Sequence, residues 1–430
     1  MRAKERAVLV GIVVVVAAVV RIAFVSTGRV LSPLRADAGE YAQYAANLVT
    51  HGTYSLAQSD PPPPDSFRSP GYGLLLAACR LGGGQAWQTV AIAVQVLLGT
   101  LTVLLCYRLA RRSVGFAAAL AAGALAALSP HLVVSSGFVL TECLTTFLVT
   151  CGLWLCLCAS GAVRFAFGAA VLGLAALCNE VYVFVPIVVA VAAWRQDRRR
   201  LWLALVVGLL PTVAWSLRNA STELARTGGQ RAVASVSHGS YPGMVYGESK
   251  WFGYPYREDP EQPAMASSWA ALWAVLGPRI AADPLRFARW YALEKPLWLW
   301  SWPLVQGRDV CVYEVADSPY ERQPVMQASH TLMRWLHLPV MLLAAITAVG
   351  GLVRPSRRDG APGQRALAAI VVLATLAYVP VIPDPRYLQP VRPLLFVLAA
   401  VGAEALVVRL FVNRRRVTAV ASPPSALTDG

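Results

Sequence analysis

Long apolar stretches recur along almost the whole chain, and short polar segments separate them. A helix needs about 20 mostly apolar residues to cross a bilayer, and most of the stretches have roughly that length. The pattern therefore predicts an all-α polytopic membrane protein of about ten spans. We place them at residues 7–26, 86–107, 114–134, 139–159, 163–178, 180–194, 201–217, 333–353, 366–382 and 391–412. The pattern leaves open whether 163–194 is two spans or one broken span.

The first apolar run, residues 7–26, follows a basic N-terminus. It is longer than the apolar region of a typical signal peptide and lacks a clear small-residue cleavage site, so we interpret it as a retained span. Arg21 lies near the predicted outer end of this span. Because a long basic side chain can reach the headgroups from there, we expect Arg21 to snorkel towards the membrane surface.

The net charge of +15 comes largely from clusters of lysine and arginine beside the ends of apolar stretches, at residues 2–6, 108–112, 195–200, 354–365 and 409–416. Short cytoplasmic loops carry such clusters, so both termini are predicted to be cytoplasmic. Only 14% of the residues are charged, whereas soluble domains have about 25%. No basic stripe carries the interleaved aromatic residues of a nucleic-acid groove, so we expect no nucleic-acid partner.

Two long segments, residues 27–85 and 218–332, are then extracytoplasmic loops. We assign residues 1–412 to the membrane domain and 413–430 to a basic, disordered cytoplasmic tail. Most of the acidic residues fall in or beside the two outer loops. Chemistry on the outer face explains this one-sidedness, and so does ordinary loop solvation. We expect a multi-pass protein of the cytoplasmic (inner) membrane whose active site faces outwards.

The first outer loop begins with a predicted helix in which Asp37, Glu40 and Tyr41 share one face. Asp37 followed by Glu40 three residues later has the spacing of a capping box, which would start any helix. A carboxylate at a helix start beside the membrane also suits a general base. From the residues alone we favour the cap, and the two roles are compatible.

Arg68 precedes a Pro-Gly turn in the same loop, and a short apolar helix at 74–81 follows it. The guanidinium is either solvated at the interface or clamps a phosphate through paired hydrogen bonds. Arg386 lies in a similar proline-rich turn before the last span. It either anchors the interface beside Tyr387 or binds the same phosphate, and an arginine at membrane level gains most from an anionic partner.

Several motifs then occur in a fixed order. The first outer loop contains Asp-x-x-x-Tyr, Ala-x-Asn-Leu-x-x-x-Gly-x-Tyr-Ser and Arg-x-Pro-Gly-Tyr, at residues 37–41, 45–55 and 68–72. Further motifs lie at residues 129–131, 140–142, 218–219, 237–239, 245–248 and 384–390. In this order and outer placement they resemble integral-membrane glycosyltransferases of the GT-C class, and most closely the protein mannosyltransferase and aminoarabinose transferase superfamily.

The resemblance implies an enzyme that moves a hexose or pentose from a polyprenyl-phosphate donor to an extracytoplasmic lipid, glycan or protein acceptor. It gives Asp37 the role of catalytic base and makes Glu142 a second catalytic acid, although Glu142 near a helix start is also favoured by the helix dipole alone. The expected substrate-binding residues are Glu40, Tyr41, Arg68, Tyr72, Arg218, Arg386 and Tyr387. The sugar, the polyprenol and the acceptor are not specified.

The chain departs from the family pattern in ways that bear on cofactors. Ala38 stands where the family often has a second acidic residue, and Ser69 and Gly73 replace prolines. These changes weaken a paired-carboxylate metal site. The histidines His131 and His238 lack ligand spacing. We therefore assign no metal ligand and leave a divalent cation, Mg²⁺ or Mn²⁺, open as the one cofactor to consider.

Other readings of the sequence remain. A secondary transporter would show paired halves with broken helices, which we do not find. A surface-glycan polymerase or ligase, or a structural assembly protein, also fits large outer loops. Glu180 is a candidate by its depth in the membrane. The Trp298–Trp302 run is interpreted as an aromatic belt at the interface rather than a sugar-stacking platform.

Overall fold

The computed structural model describes residues 2–158, 161–194, 197–244, 255–305, 307–353 and 361–420, without the side chains of 361–362 and 411–420. The motif at 245–248, the tail from 421 onwards and most of the basic cluster at 354–365 lie outside the described residues. Within them the regular secondary structure is almost entirely helical. The predicted all-α fold is confirmed.

The first half of the chain forms ten α-helices that follow the apolar pattern. They are α1 Ala3–Thr27, α2 Asp37–His51, α3 Pro70–Gly83, α4 Trp87–Ala110, α5 Phe116–Leu128, α6 Pro130–Val134, α7 Thr141–Leu157, α8 Ala162–Cys178, α9 Phe184–Trp194 and α10 Arg198–Ala220. Short 3₁₀ turns occupy Gly84–Ala86, Ser135–Gly137 and Glu180–Val183. The segment 163–194 is thus two helices joined by a 3₁₀ turn, and α10 packs against both of them.

The second half contains the long outer loop and the last spans. Its helices are α11 Gly228–Gly239, α12 Gln262–Met265, α13 Trp269–Ala282, α14 Pro284–Arg289, α15 Lys295–Leu299, α16 Pro319–Arg322, α17 Pro324–Val353, α18 Ala361–Tyr378 and α19 Arg392–Val420. Two 3₁₀ turns, Pro255–Arg257 and Pro385–Val391, and a π-helical turn, Trp290–Glu294, complete it. A two-stranded antiparallel ribbon pairs β1 Arg29–Val30 with β2 Val315–Ala316.

Five helical stretches among the described residues are long and apolar enough to cross a membrane on their own. These are Ala3–Thr27, Pro70–Ala110, Arg198–Ala220, Pro324–Val353 and Pro385–Leu410. A sixth span results if α5 and the helix after it, bent by 54°, are counted as one. The other predicted spans are present as shorter apolar helices. A polytopic membrane protein is therefore confirmed, whereas helix length alone does not establish the count of ten.

Arg21 does not snorkel, contrary to the sequence prediction. Its side chain is fully buried inside the bundle formed by α1, α4 and α5. The guanidinium donates hydrogen bonds to the carbonyl oxygens of Ala17, Ala126 and Ala127, at 2.9, 3.5 and 3.4 Å. α5 ends at Leu128, so its last carbonyls have no partner within the helix. Arg21 satisfies two of them and adds a positive charge where the helix dipole favours one.

The tryptophan run at 298–302 is also different from the predicted belt. Trp302 is only 8% exposed, and its indole donates to Asp309 at 2.7 Å. His131 contacts both its ring and its carbonyl oxygen, the latter at 2.7 Å. Trp300 donates to the hydroxyl of Thr375 at 3.1 Å. The Trp300 indole and the Trp302 carbonyl thus connect the second outer loop to the bundle, and the Trp302 indole binds within that loop.

Candidate active site

Four segments meet on the side of the bundle that our topology makes extracytoplasmic. They are the start of α2, the end of the first outer loop, the start of α7 and the 3₁₀ turn before α19. The α2 helix is amphipathic: its buried face includes Tyr41, Tyr44 and Asn47. That face packs against α3, and the first turn of α2 carries the two carboxylates Asp37 and Glu40.

Asp37 is held between two arginines that are remote in sequence. One carboxylate oxygen accepts a hydrogen bond from Arg68 at 2.7 Å, and the other accepts one from Arg386, also at 2.7 Å. The Arg68 guanidinium also binds Glu40 at 2.6 Å. Both arginine side chains are 12% exposed and Asp37 is 26% exposed. The two arginines predicted to converge on one phosphate thus converge on one carboxylate.

Arg386 is surrounded by three carboxylates. Besides Asp37 it lies 3.3 Å from Asp384 and 3.9 Å from Glu142. Asp384 is buried and caps the 3₁₀ turn by accepting the Arg386 amide at 3.1 Å. Glu142 lies in the first turn of α7 and is 8% exposed. The surrounding acids hold this guanidinium in one place, since a buried cation is costly without partners.

The arginines control the protonation of Asp37. Burial alone would raise the pKa of this carboxyl, but the charges of Arg386 and Arg68 outweigh it and hold the pKa well below its ordinary value of 3.8. Burial lowers the pKa of Arg68, whereas Tyr41 and Asp37 raise it, and the net direction is upwards. In this state Asp37 is ionised and is a weak base.

Asp37 does not cap α2, and the predicted capping box is wrong. The N-cap position is Ala36, whose backbone has the unusual positive φ of 50°, and Asp37 is the first helical residue. No side chain of α2 itself caps the helix. The carboxylate that the sequence assigned to the cap is instead bound by the two arginines, because two charge-assisted bonds outweigh one bond to a backbone amide.

Aromatic rings from α2, α3 and the 3₁₀ turn Pro385–Val391 line the cluster. The Arg68 guanidinium lies 5.4 Å from the centre of the Tyr41 ring, and Tyr41 makes an edge contact with Tyr72 at 5.2 Å. Tyr72 is fully buried and donates to Gln95 at 2.8 Å. It therefore supports Tyr41 from behind. Arg386 lies over the ring of Tyr387 at 5.1 Å.

The first outer loop is fastened to α2 by Asp65, which sequence reasoning missed. Asp65 is 2% exposed; it accepts a hydrogen bond from the Tyr44 hydroxyl and others from the amides of Leu56 and Phe67, at 2.8 and 3.2 Å. This fixes the chain just before Arg68. No local pattern marks Asp65, because its partners lie on both sides of it in the sequence.

Arg231, on α11, was also missed. Its guanidinium pairs with Glu180, and the other oxygen of Glu180 accepts the hydroxyl of Ser69. Burial is the main cause that lowers the pKa of Arg231, and the charge of Arg68 lowers it further. The Nε atom of Arg231 is buried without a described hydrogen-bond partner. A third arginine therefore lies beside the cluster, and Glu180 links it to the Arg68 turn.

Arg218 lies elsewhere. It donates to the backbone oxygen of Asp65 at 2.9 Å and to Asn219 at 3.0 Å, and its guanidinium covers the ring of Trp215 at 4.8 Å. These partners belong to the loop and to the end of α10. The geometry gives Arg218 a role in holding the first outer loop.

The described part of the chain holds no group of three or more histidine, cysteine or carboxylate side chains arranged to hold a metal ion. The carboxylates of the cluster are engaged by arginines. His131 binds a backbone oxygen, and His238 stacks on the ring of Tyr256 at 3.8 Å.

Known proteins resemble this chain in sequence over part of its length and in fold over most of it. Residues 70–224 match the family model of dolichyl-phosphate-mannose-protein mannosyltransferases. No curated protein sequence gave a match. One similar solved structure is the archaeal oligosaccharyltransferase AglB from Archaeoglobus fulgidus, in complex with an inhibitory peptide and a dolichol-phosphate. It aligns with a TM-score of 0.50 at 13% identity over 97% of this chain and 52% of that chain. ArnT from Cupriavidus metallidurans, bound to undecaprenyl phosphate, aligns with a TM-score of 0.39 at 16% identity over 94% of this chain and 78% of that one.

The chain thus spans about half the length of the oligosaccharyltransferase chain and shares its membrane fold. The family match covers α3 to α10 but not Asp37, Arg68 or Arg386. Together the match and the fold confirm the resemblance to the GT-C class that the sequence motifs indicated.

Proposed function

We propose that this membrane protein of the GT-C class transfers a sugar from a polyprenyl-phosphate donor to an acceptor on the extracytoplasmic face of the cytoplasmic membrane. The observation that carries the proposal is the meeting of Arg68 and Arg386 on the carboxylate of Asp37. Two guanidinium groups can stabilise the charge on a departing phosphate, and the carboxylate beside them can take a proton from the acceptor. Cleavage of a sugar–phosphate bond at a membrane boundary needs both.

The chemistry asks little covalent help from the protein. Polyprenyl phosphate is a fair leaving group, so the enzyme must position the acceptor, take its proton and stabilise the departing phosphate. Asp37 is the base in this scheme, and Arg68 and Arg386 bind the phosphate. The acceptor oxygen attacks the anomeric carbon, the bond from that carbon to the phosphate oxygen breaks, and the acceptor proton passes to Asp37.

In the ligand-free geometry Asp37 is a weak base until the donor phosphate binds. Both oxygens of Asp37 are occupied by arginines, and those arginines lower its pKa. A donor phosphate that accepts the same N–H groups competes directly with Asp37 for them. As the phosphate binds, the carboxylate loses hydrogen bonds, its pKa rises and it becomes a better base. Donor binding therefore prepares the base, and the donor binds before proton transfer.

Arg231 supports the proposal from the second outer loop. It lies beside Arg68 and Tyr41, and like charges at close range are unfavourable unless an anion lies between them. Its partner Glu180 is 53% exposed, so little desolvation opposes exchanging that pair for a phosphate. We therefore assign Arg231, and not Arg218, as the third arginine of the donor site.

Glu142 and Asp384 act behind Arg386. Glu142 lies nearest Nη1 and Asp384 nearest Nε of its guanidinium, whereas Asp37 binds Nη2, so the two carboxylates are suited to orient Arg386 towards Asp37. Glu142 remains the candidate for a second catalytic acid, and Tyr72 and Tyr387 are assigned to the walls of the site.

The test uses purified protein in liposomes with a panel of undecaprenyl-phosphate-linked pentoses and hexoses. Release of undecaprenyl phosphate reports turnover, and thermal stabilisation by added undecaprenyl phosphate reports binding without an acceptor. Arg231→Lys should weaken that binding about tenfold because the planar fork is lost. The matched change Arg218→Lys should leave it within about twofold.

Two results would refute the assignments. A protein that neither binds undecaprenyl phosphate nor turns over any linked sugar is not a polyprenyl-phosphate-dependent transferase. If binding is weakened by Arg218→Lys and not by Arg231→Lys, the donor phosphate is held by the loop arginine and our choice between the two is wrong.

A further inference from the structure

Tyr313, in the second outer loop, touches the strained turn that begins α2. Its hydroxyl donates a hydrogen bond to the backbone oxygen of Arg35 at 2.9 Å. Arg35 directly precedes Ala36, the N-cap residue with φ of 50°. A non-glycine residue adopts positive φ only where the surroundings hold it. The bond from Tyr313 is one of the contacts that hold it.

The Tyr313 ring is fixed before the hydroxyl acts. The side chain is 4% exposed and makes an edge contact with Phe138 at 5.6 Å. The Arg35 guanidinium covers the other part of the ring at 5.6 Å. A buried phenol normally finds a partner for its hydroxyl, and here that partner is the backbone of the turn.

The ribbon next to Tyr313 fixes the same turn from its other end. β2 pairs with β1 through Val315 and Val30, and the amide of Leu31 donates to the oxygen of Glu314 at 3.1 Å. The first outer loop is therefore joined to the second at residues 29–31 and again at Arg35. Few degrees of freedom remain between these points and Asp37.

The environment of the phenol agrees with its place at the site. Burial is the largest cause that raises the pKa of Tyr313 to about 12; the charge of Arg386 and the backbone amide of Ala38 act against it, and the charge of Asp37 adds to it. The hydroxyl thus stays protonated at neutral pH and can donate to Arg35. Its oxygen also lies near the backbone amide of Ala38 in the first turn of α2, a helix that has no side-chain cap of its own.

We propose that Tyr313 is a positioning residue, which fixes the Arg35–Ala36 turn and thereby aims the Asp37 carboxylate between Arg68 and Arg386. The inference rests on the proposed function for its catalytic consequence, but its structural part does not. The second outer loop would then control the base without touching the substrate.

Tyr313→Phe removes only the hydroxyl and keeps the ring contacts. We expect kcat for sugar transfer to fall about tenfold, with the KM for the donor within about twofold, because the phosphate-binding arginines stay in place while the base is misaimed. Amide hydrogen exchange of residues 36–40 should become faster. The matched control is Tyr320→Phe, whose ring contacts Phe24 and His330 and whose hydroxyl makes no described hydrogen bond.

The two readouts separate the failure of this inference from the failure of the proposed function. If exchange at 36–40 is unchanged in Tyr313→Phe, or changes equally in Tyr320→Phe, the hydroxyl does not fix the turn and the inference is wrong. If exchange rises but kcat is unchanged while Asp37→Asn is inactive, Tyr313 holds the helix start without positioning the base. If no variant or wild-type protein transfers sugar, the proposed function fails, and exchange alone still decides whether Tyr313 holds the turn.

Discussion

Asp37 holds Arg68 and Arg386 in place and is the proposed general base. Replacing it by asparagine separates these two roles, because losing the base should lower the rate far more than weakening the hydrogen bonds to the arginines. Asp37 makes two hydrogen bonds of 2.7 Å to guanidinium groups, one from each oxygen. Asparagine keeps one carbonyl acceptor and turns an NH₂ group towards the other arginine. A hydrogen bond to a charged group contributes about 1.5–3 kcal/mol, and the 26% exposure of the carboxylate reduces the loss. We expect Asp37→Asn to lower the free energy of unfolding by about 2 kcal/mol.

A cost of about 2 kcal/mol corresponds to roughly thirtyfold in an equilibrium or a rate. The loss of a general base is larger, at about 10²–10⁴-fold. Asp37→Asn should therefore lower kcat by more than a hundredfold, with only a modest decrease in the melting temperature. Binding of undecaprenyl phosphate should not weaken, because the asparagine competes less strongly for the arginines.

The assay measures kcat for sugar transfer, thermal unfolding and binding of undecaprenyl phosphate in the same liposome preparation. The matched control is Asp283→Asn, since Asp283 caps α14 in the second outer loop and asparagine caps equally well. A decrease in kcat of thirtyfold or less, with weakened phosphate binding, would show that Asp37 only holds the arginines. The base would then be another group, with Glu142 the first to test.

Three further predictions concern the pH dependence of Asp37, the buried Arg21 and the membrane topology. The arginines hold the pKa of Asp37 below 3.8, so its contribution to stability should be complete above about pH 4 and lost only as the pH falls further. Titration of Asp37 should therefore lower neither the melting temperature nor kcat/KM between pH 7 and 5. Arg21→Leu should lower the melting temperature, because the carbonyls of Ala126 and Ala127 lose their donor, and leave the KM for the donor unchanged. Reporter fusions at Arg416 should score as cytoplasmic; a periplasmic signal would overturn the outer placement of Asp37.

The sequence predicted the helical fold because a membrane-spanning helix needs a long run of apolar residues, and such runs are visible in the sequence. Most of the predicted spans coincide with helices to within a few residues, since every turn of a spanning helix must be apolar. The bend after Leu128 and the break at Asn179 were less predictable. Whether two short helices form one span depends on the neighbours they pack against, and the order of residues does not contain that information.

The site was predicted in part for a different reason. Asp37, Arg68 and Arg386 belong to motifs that stand out locally, and their convergence followed from topology. Arg231 and Asp65 carry no such mark, because each is defined by a partner more than ten residues away. The capping box was wrong because local spacing shows which bonds can form, whereas the nearby arginines decide which bond is stronger. Burial of Arg21 and Trp302 was missed for the same reason, since both satisfy distant polar groups.

The three arginines differ in how freely each can turn to a ligand. Arg386 is held by Asp37, Asp384 and Glu142, and moving it would leave buried carboxylates unpaired. Arg68 shares two carboxylates, Asp37 and Glu40. Arg231 has one described carboxylate partner, and that partner is largely exposed. A phosphate arriving from the membrane therefore meets the least resistance at Arg231, then draws Arg68 away from Asp37, and engages Arg386 last, because Asp384 and Glu142 hold that guanidinium in place.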